Sequence, residues 1–202
     1  MYAEAKNVVV IGASAGGVEA LKQLVAKLPG DTDAALFVVL HIPNQGPSRL
    51  PEILRYKSRL PVGHAKDGEP MESGRIYVAP PNHHLLLEND HVLLWSGPKE
   101  NNSRPAINPL FRSAAYNYGE GVVGVLLSGT LDDGSAGLWL IKQKGGIAIV
   151  QDPTEAAFSD MPQSALKYVQ ADYVTGVGGI AEIIVEQSKN AIGHQRVGSG
   201  SP

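Results

Sequence analysis

The sequence contains no cysteine, which excludes disulfide bonds, cysteine–zinc sites and a thiol nucleophile. It has no run near the roughly 20 apolar residues of a membrane span, and its first residues lack the basic and long apolar segments of a secretion signal. A basic excess is also missing, because 17 Lys and Arg stand against 20 Asp and Glu. We therefore expect a cytoplasmic protein that neither inserts into membranes nor binds nucleic acid.

What is present is enough apolar sequence for one core, since 43% of the 202 residues are hydrophobic. Apolar runs predict buried strands, and residues with helical apolar spacing predict helices between them. Strands are predicted over residues 7–11, 34–40, 122–127 and 147–150. Helices are predicted over residues 18–28, 48–59, 108–118, 135–144, 162–169 and 179–188. Residues 75–80, 83–88 and 91–95 are interpreted as an antiparallel excursion of three short strands, the last two joined by a turn at Asn89 and Asp90.

This order of elements predicts an α/β fold. We expect a doubly wound, mostly parallel sheet with helices on both faces and an antiparallel hairpin insertion. Residues 1–189 are expected to form the domain. Residues 190–202 are rich in Gly and Ser without apolar spacing, and they predict a flexible tail.

Three residue types that support hydroxyl nucleophile chemistry follow predicted buried strands. Ser14 follows the first strand, His41 the second, and Asp132 and Asp133 come after the strand over 122–127. Ligand sites of open α/β sheets form at the carboxyl ends of the strands. A serine, a histidine and a carboxylate there would supply nucleophile, base and the group that orients the base. Singly, the serine and the aspartates could cap helices and the histidine could be a packing residue. Their common position favours a triad.

The local sequence around Ser14, GASAG, fits the pattern G-x-S-x-G. Small neighbours in that pattern permit a tight turn from strand to helix that exposes the hydroxyl. Backbone N–H groups at the start of the next helix, those of Ala15 and Gly16, are then candidate donors to an oxyanion. The order serine, histidine, aspartate differs from that of α/β-hydrolases, so their fold is not implied.

Two other kinds of site are not supported. A dinucleotide fingerprint needs G-x-G-x-x-G and an acidic residue at the end of the second strand, where this chain has His41. The phosphate-binding pattern G-x-x-x-x-G-K-[ST] is absent. His83 and His84 have no partner histidine at a spacing of four residues and do not predict a metal site. We expect no metal and no cofactor.

Six segments, in order, resemble the catalytic domain of CheB-type chemotaxis protein-glutamate methylesterases over residues 7–186. They are VVVIGASAGGVEAL, VVLHIP, YVAPPNHHLLL, RPAINPLFRSAA, GVLLSGTLDDGSAGL and GGIAIVQDP. The resemblance implies hydrolysis of glutamate γ-methyl esters on the cytoplasmic helices of chemoreceptors or on another methylated protein, often with deamidation of receptor glutamines, and without a cofactor. It also implies that Ser14 is the nucleophile, His41 the general base and Asp133 the carboxylate that orients His41.

The chain departs from the family pattern beside the site. The family often has Thr where this chain has Ala15, and a Gly-Met-Gly turn where this chain has Gly129-Thr130-Leu131. These positions line the oxyanion and substrate region, so Ala15, Gly16 and Thr130 are the candidate residues there. Better-studied members also carry an N-terminal receiver domain, and we expect this chain to be a stand-alone member or an excised fragment. The alternative functions are a small-ester hydrolase or amidase, and an inactive partner-binding domain. The sequence predicts no oligomeric state.

Overall fold

This computed structural model describes residues 7–41 and 48–190, which contain nine strands, six α-helices and one short 3-10 helix at Gly119–Gly121. The strands are β1 (Val8–Ala13), β2 (Ala35–Leu40), β3 (Val62–His64), β4 (Arg75–Val78), β5 (His84–Glu88), β6 (His91–Trp95), β7 (Val122–Leu126), β8 (Ile147–Gln151) and β9 (Tyr173–Thr175). The helices are α1 (Gly17–Lys27), α2 (Leu50–Arg55), α3 (Ile107–Tyr118), α4 (Ser135–Gln143), α5 (Asp160–Tyr168) and α6 (Val177–Asn190).

Seven of the strands form one sheet in the order β3-β4-β2-β1-β7-β8-β9, and every neighbouring pair is parallel. The central strand β1 pairs with β2 on one side and β7 on the other. All residues of these three strands are buried. Their sequences are continuous apolar runs because both faces of the sheet are covered.

Helices cover both faces of the sheet. Helices α1, α2 and α6 pack on one face, and α3, α4 and α5 pack on the other together with the β5–β6 hairpin. Each helix buries residues spaced three or four apart; α1, for example, buries Ala20, Leu21, Leu24 and Val25. Two apolar cores therefore lie on opposite sides of one sheet, and the predicted fold class is confirmed.

The predicted hairpin is also present. Strands β5 and β6 are antiparallel, and Glu88 pairs with His91, which leaves a loop of Asn89 and Asp90. Both loop residues have positive φ, 50° and 61°. This is the backbone conformation of a type I′ turn, which matches the right-handed twist of the flanking strands and favours Asn and Asp.

Several predicted elements need correction. Residues 75–78 are not part of an antiparallel excursion, because β4 pairs in parallel with β2 and β3 inside the main sheet. The strands β3 and β9 were not predicted, since each has only three residues. The helix predicted over 48–59 is limited to the six residues of α2. Of the predicted tail, Asn190 is the last residue of α6, and 191–202 lie outside the described residues.

None of the helices within residues 7–41 and 48–190 combines the length and the apolar character that a bilayer span requires.

Candidate active site

Three segments converge at the carboxyl ends of the central strands. Ser14 directly follows β1, His41 directly follows β2, and Asp133 lies in the loop between β7 and α4. Because β2 and β7 flank β1 on opposite sides, the chain leaves the centre of the sheet in two directions at this point. Such switch points leave a crevice outside the strand ends in doubly wound sheets. The order of the strands thus brings together residues that are far apart in the sequence.

The side chains of Ser14, His41 and Asp133 form a continuous chain of hydrogen bonds. Nδ1 of His41 lies 3.2 Å from Oγ of Ser14, and Nε2 of His41 lies 2.7 Å from Oδ2 of Asp133. The His41 side chain is 19% exposed and that of Asp133 is 1% exposed. Ser14 is half-buried, so exposure falls from the serine and histidine to the buried acid.

Asp133 is held by the N-terminus of α3. Its Oδ2 accepts a hydrogen bond from the N–H of Ile107 at 2.7 Å, and its Oδ1 accepts one from the N–H of Asn108 at 3.1 Å. These are the first two residues of the helix, whose N–H groups have no acceptor within the helix itself. The helix dipole also favours a negative charge at this end. A buried carboxylate is thereby compensated on three sides, by two amides and His41.

The neighbouring Asp132 has a different environment. It is exposed, and its side chain accepts a hydrogen bond from Nδ2 of Asn101 at 3.3 Å. Its backbone carbonyl accepts the N–H of Ser135 in the turn before α4. The structure therefore brings Asp133, and not Asp132, to His41.

The turn after β1 is built around Gly16. This residue is the N-cap of α1 and has a left-handed backbone, with φ 74°. A Cβ on Gly16 would also lie 2.8 Å from Oγ of Ser128, so glycine is needed for both conformation and space. The alternative interpretation of Ser14 as the helix cap is wrong, since the cap residue is Gly16 and no side chain caps this helix.

Ser128 fixes the turn that carries Ser14, and sequence reasoning missed it. Its carbonyl accepts the N–H of Ser14 at 2.9 Å, and its Oγ donates to the carbonyl of Ala15 at 2.8 Å. The same Oγ accepts the N–H of Phe158 at 3.0 Å, and the N–H of Ser128 donates to Oε1 of Gln151 at 2.8 Å. Ser128 lies two residues after β7 and Gln151 is the last residue of β8, so both lie at the carboxyl edge that indicated the other site residues.

Near the turn that carries Ser14, some backbone N–H groups donate to backbone carbonyls and others do not. Those of Ser14, Gly17 and Gly129 donate to carbonyl oxygens. Among the described residues, no backbone carbonyl accepts a hydrogen bond from the N–H of the three predicted oxyanion residues, which are Ala15, Gly16 and Thr130. That these N–H groups donate to an oxyanion stays a prediction.

The two adjacent histidines have structural partners. Nδ1 of His83 lies 3.0 Å from the carbonyl of Pro81. His84 is fully buried; its Nε2 lies 2.9 Å from the carbonyl of Pro98, and its Nδ1 accepts the N–H of Ala106 at 3.2 Å. No group of three or more potential metal-binding His, Asp or Glu side chains occurs in the part of the chain that the structure describes.

A family model described as CheB methylesterase matches residues 9–184. The chain belongs to the CheB methylesterase family. A protein of Leptospira interrogans, provisionally named protein-glutamate methylesterase/protein-glutamine glutaminase, is 39% identical over 183 residues, which cover 90% of this chain and 95% of the relative. Protein-glutamate methylesterase/protein-glutamine glutaminase 2 of Methanosarcina mazei is 37% identical over 90% of this chain, which spans only 52% of that longer relative.

Among solved structures, the crystal structure of the Thermotoga maritima CheB methylesterase catalytic domain is similar to this chain. The two superpose with a TM-score of 0.85 and 34% sequence identity, over 89% of this chain and 97% of the other. The family resemblance and the fold class predicted from the sequence are therefore both confirmed.

Proposed function

We propose that this chain is a serine hydrolase that removes methyl groups from glutamate γ-methyl esters of a methylated protein. The cytoplasmic helices of chemoreceptors are the proposed substrate, and adaptation in chemotaxis is the proposed role. The observation that carries the proposal is the hydrogen-bonded sequence Ser14, His41, Asp133 at the carboxyl edge of the sheet. Membership of the CheB family and the names of the relatives supply the substrate class.

In the first half of the reaction, neutral His41 is the general base. Its Nδ1 accepts the proton of the Ser14 hydroxyl as Oγ attacks the carbonyl carbon of the ester. The 3.2 Å separation of these two atoms is at the long end of hydrogen-bond distances, as is common before substrate binds. The product of the attack is a tetrahedral intermediate with a negative charge on the former carbonyl oxygen.

Asp133 stabilises the imidazolium that forms when His41 takes up the proton. Its carboxylate lies 2.7 Å from Nε2 and is itself held by two backbone amides, so it stays in place while the ring changes charge. In the resting state the same contact holds the ring with its hydrogen on Nε2. The lone pair of Nδ1 then faces Ser14.

The N–H groups of Ala15, Gly16 and Thr130 are the proposed donors to the oxyanion. Ala15 and Gly16 belong to the turn that carries Ser14, and Thr130 follows Gly129, where a Cβ would lie 2.8 Å from Cβ of Ser14. None of the three N–H groups donates to a backbone carbonyl of the described residues. Removing a single donor of this kind costs about 10²–10³ in kcat in a bacterial serine protease. Because these are backbone groups, the presence of Ala15 where the family often has Thr leaves its donor in place.

The intermediate collapses with cleavage of the bond to the methoxy group, which leaves as methanol with the proton from His41. A glutamyl ester of Ser14 remains. His41 then accepts a proton from water as the water attacks this ester, and Ser14 leaves with that proton. The products are methanol and a free glutamate side chain, and the enzyme returns to its starting state.

Deamidation of glutamine is a second candidate activity of the same site. The names of the relatives include protein-glutamine glutaminase. The chemistry differs only in the leaving group, which is ammonia instead of methanol, and the same proton transfer from His41 serves both. A cytoplasmic location remains a prediction, and it is the location that the proposed substrate requires.

The test measures methanol and ammonia released from a methylated chemoreceptor fragment by the wild-type chain, Ser14→Ala and Ser96→Ala. Ser96 is exposed and far from the catalytic turn in sequence, so its replacement is the matched control. We expect release by the wild type and Ser96→Ala, and a loss on the order of 10⁶ in kcat for Ser14→Ala.

A fluorophosphonate that labels reactive serines separates the alternatives. Labelling of Ser14 without methanol release, together with hydrolysis of a generic ester, would identify a small-ester hydrolase. If Ser14 is not labelled and no substrate is hydrolysed, the chain is an inactive binding domain. Full activity of Ser14→Ala would remove Ser14 from the mechanism altogether.

A further inference from the structure

Leu131 has a backbone conformation that its residue type disfavours. Six non-glycine residues in the described part of the chain have positive φ, and five of them are Asn or Asp, namely Asn82, Asn89, Asp90, Asn101 and Asn102. Asn and Asp tolerate this region because their short side chains can hydrogen-bond locally. The sixth is Leu131, with φ 66°. A bulky residue here is an outlier, and such outliers cluster at functional sites.

Packing does not explain the leucine. Its side chain is 71% exposed, so it gains little from burial in the folded protein. Asn or Gly would fit the same backbone with less strain, and neither would expose an apolar side chain to water. Neither the conformation nor the stability of the fold therefore accounts for leucine at this position.

The position of Leu131 relates it to the active site. It lies two residues from Gly129, where a Cβ would be 2.8 Å from Cβ of Ser14, and two residues from Asp133. The loop that carries it thus begins against the nucleophile and ends at the acid of the triad.

A second exposed apolar side chain, that of Phe158, belongs to a segment bonded to this loop. Phe158 is 47% exposed, and its carbonyl accepts the N–H of Gly129 at 3.1 Å, which ties it to the loop of Leu131. Its ring comes within 3.1 Å of the position that a Cβ on Gly16 would occupy, so it lies beside the turn of Ser14. Phe158 therefore lies beside the turn of Ser14, and its carbonyl holds the loop two residues before Leu131.

We propose that Leu131 is a specificity-determining residue that, with Phe158, contacts an apolar side chain of the substrate protein next to the glutamyl ester. The proposal rests on the proposed function. On a helical substrate, the apolar residue would lie three or four positions from the methylated glutamate, because these positions share one face of the helix. The enzyme then prefers glutamyl esters with an apolar neighbour on that face over esters flanked by charged residues.

The test compares Leu131→Asn, Leu131→Gly and Leu131→Met by kcat/KM on a methylated receptor fragment and on a small glutamate γ-methyl ester. Asn keeps the left-handed backbone without the apolar group, and Met keeps an apolar group. The matched control is Leu93→Asn, which replaces another exposed leucine on the β5–β6 hairpin. Burying a leucine side chain changes a binding constant about tenfold or more. The kcat/KM on the receptor fragment, divided by that on the small ester, should therefore fall about tenfold in the Asn and Gly variants. Most of this fall should come from a higher KM for the receptor fragment.

The ratio should be retained in Leu131→Met and Leu93→Asn. The melting temperatures of Leu131→Asn and Leu131→Gly should be no lower than that of the wild type, since these residues fit the backbone. An unchanged ratio in the Asn and Gly variants, with an active wild type, would overturn the inference alone. A wild type that hydrolyses the small ester but not the methylated receptor would overturn the proposed function and the inference with it.

Discussion

Nε2 of His41, and not Nδ1, faces the carboxylate of Asp133, at 2.7 Å from Oδ2. The ring thus presents Nδ1 to Ser14, at 3.2 Å from Oγ. The orientation follows from the fold, since the acid is fixed at the N-terminus of α3 and the serine at the end of β1. It assigns the two ring nitrogens opposite tasks, one as donor to the acid and the other as acceptor from the serine.

The first prediction concerns the hydrogen on this ring. Neutral His41 should carry it on Nε2, because a carboxylate accepts hydrogen bonds and the Ser14 hydroxyl needs an acceptor. Two-bond ¹H–¹⁵N correlation spectra of the histidine side chains, assigned with His41→Gln, will identify the protonated nitrogen. A hydrogen on Nδ1 would contradict the proposed direction of proton transfer.

The two adjacent aspartates should differ sharply in their effects. Asp133→Asn places an NH₂ group where oxygen atoms now accept from His41 and two backbone amides, so one hydrogen bond becomes a clash of donors. The comparable change in a serine protease lowers kcat by about 10⁴. Asp132→Asn is the control, since its side chain is exposed and hydrogen-bonds to Asn101 instead of to His41.

Steady-state kinetics on the methylated receptor, with melting temperatures for both variants, will check this order. Losing a buried hydrogen bond costs about 1–3 kcal/mol, so Asp133→Asn should also be less stable. Equal losses of activity in the two variants would remove Asp133 from the catalytic chain.

Gly129→Ala should displace the nucleophile. The new methyl group would lie 2.8 Å from Cβ of Ser14 and 2.5 Å from Cε of Met161, and real contacts of this kind are longer. Displacing a reacting group by about 1 Å can lower the rate by about 10². We expect a loss of this size in kcat with labelling of Ser14 slowed in parallel.

The matched control for that substitution is Gly178→Ala. Gly178 lies in α6, and the nearest atom to its Cβ would be Cε of Lys27 at 3.9 Å. Alanine is about 0.5–1 kcal/mol better than glycine within a helix, so this variant should be at least as stable as the wild type and fully active. Full activity of Gly129→Ala would show that the loop yields without moving Ser14.

Tyr118 gives a prediction for alkaline pH. Burial raises the pKa of its hydroxyl to about 12 from the usual 10.0, and this hydroxyl accepts the N–H of Asp90. Between these two values the unfolded chain loses the proton first, so the stabilisation is complete below pH 10 and is lost as the pH rises towards 12. The free energy of unfolding should fall less steeply over this range in Tyr118→Phe. Equal slopes would show that Tyr118 ionises normally.

Much of this site could be predicted because strand ends are visible in the sequence. The continuous apolar runs of β1 and β2 end just before Ser14 and His41, and parallel strands bring their carboxyl ends to one edge. The turn at Asn89 and Asp90 could also be predicted, since Asn and Asp favour the positive φ angles that both residues have. These are local signals, and each depends on a few consecutive residues.

The features that could not be predicted from the sequence depend on residues that are distant in the chain. A four-residue segment such as RIYV does not indicate whether it joins a sheet or a hairpin, and β4 joins the main sheet through β2 and β3. The amides that hold Asp133 lie 25 and 26 residues before it, so no pattern around Asp133 indicates them. The orientation of the His41 ring likewise depends on where the acid lies in space.

The all-parallel sheet also has a consequence for how the protein folds. Antiparallel neighbours can be joined by a two-residue turn, but each parallel pair needs a long crossover. Ser14 and His41 are separated by 27 residues, and His41 and Asp133 by 92. Contacts between such distant residues form slowly, because the loops between them must close first. Recovery of esterase activity during refolding should therefore lag behind the return of helical circular dichroism. The time course of the enzyme's own activity then reports when the last long-range contacts form.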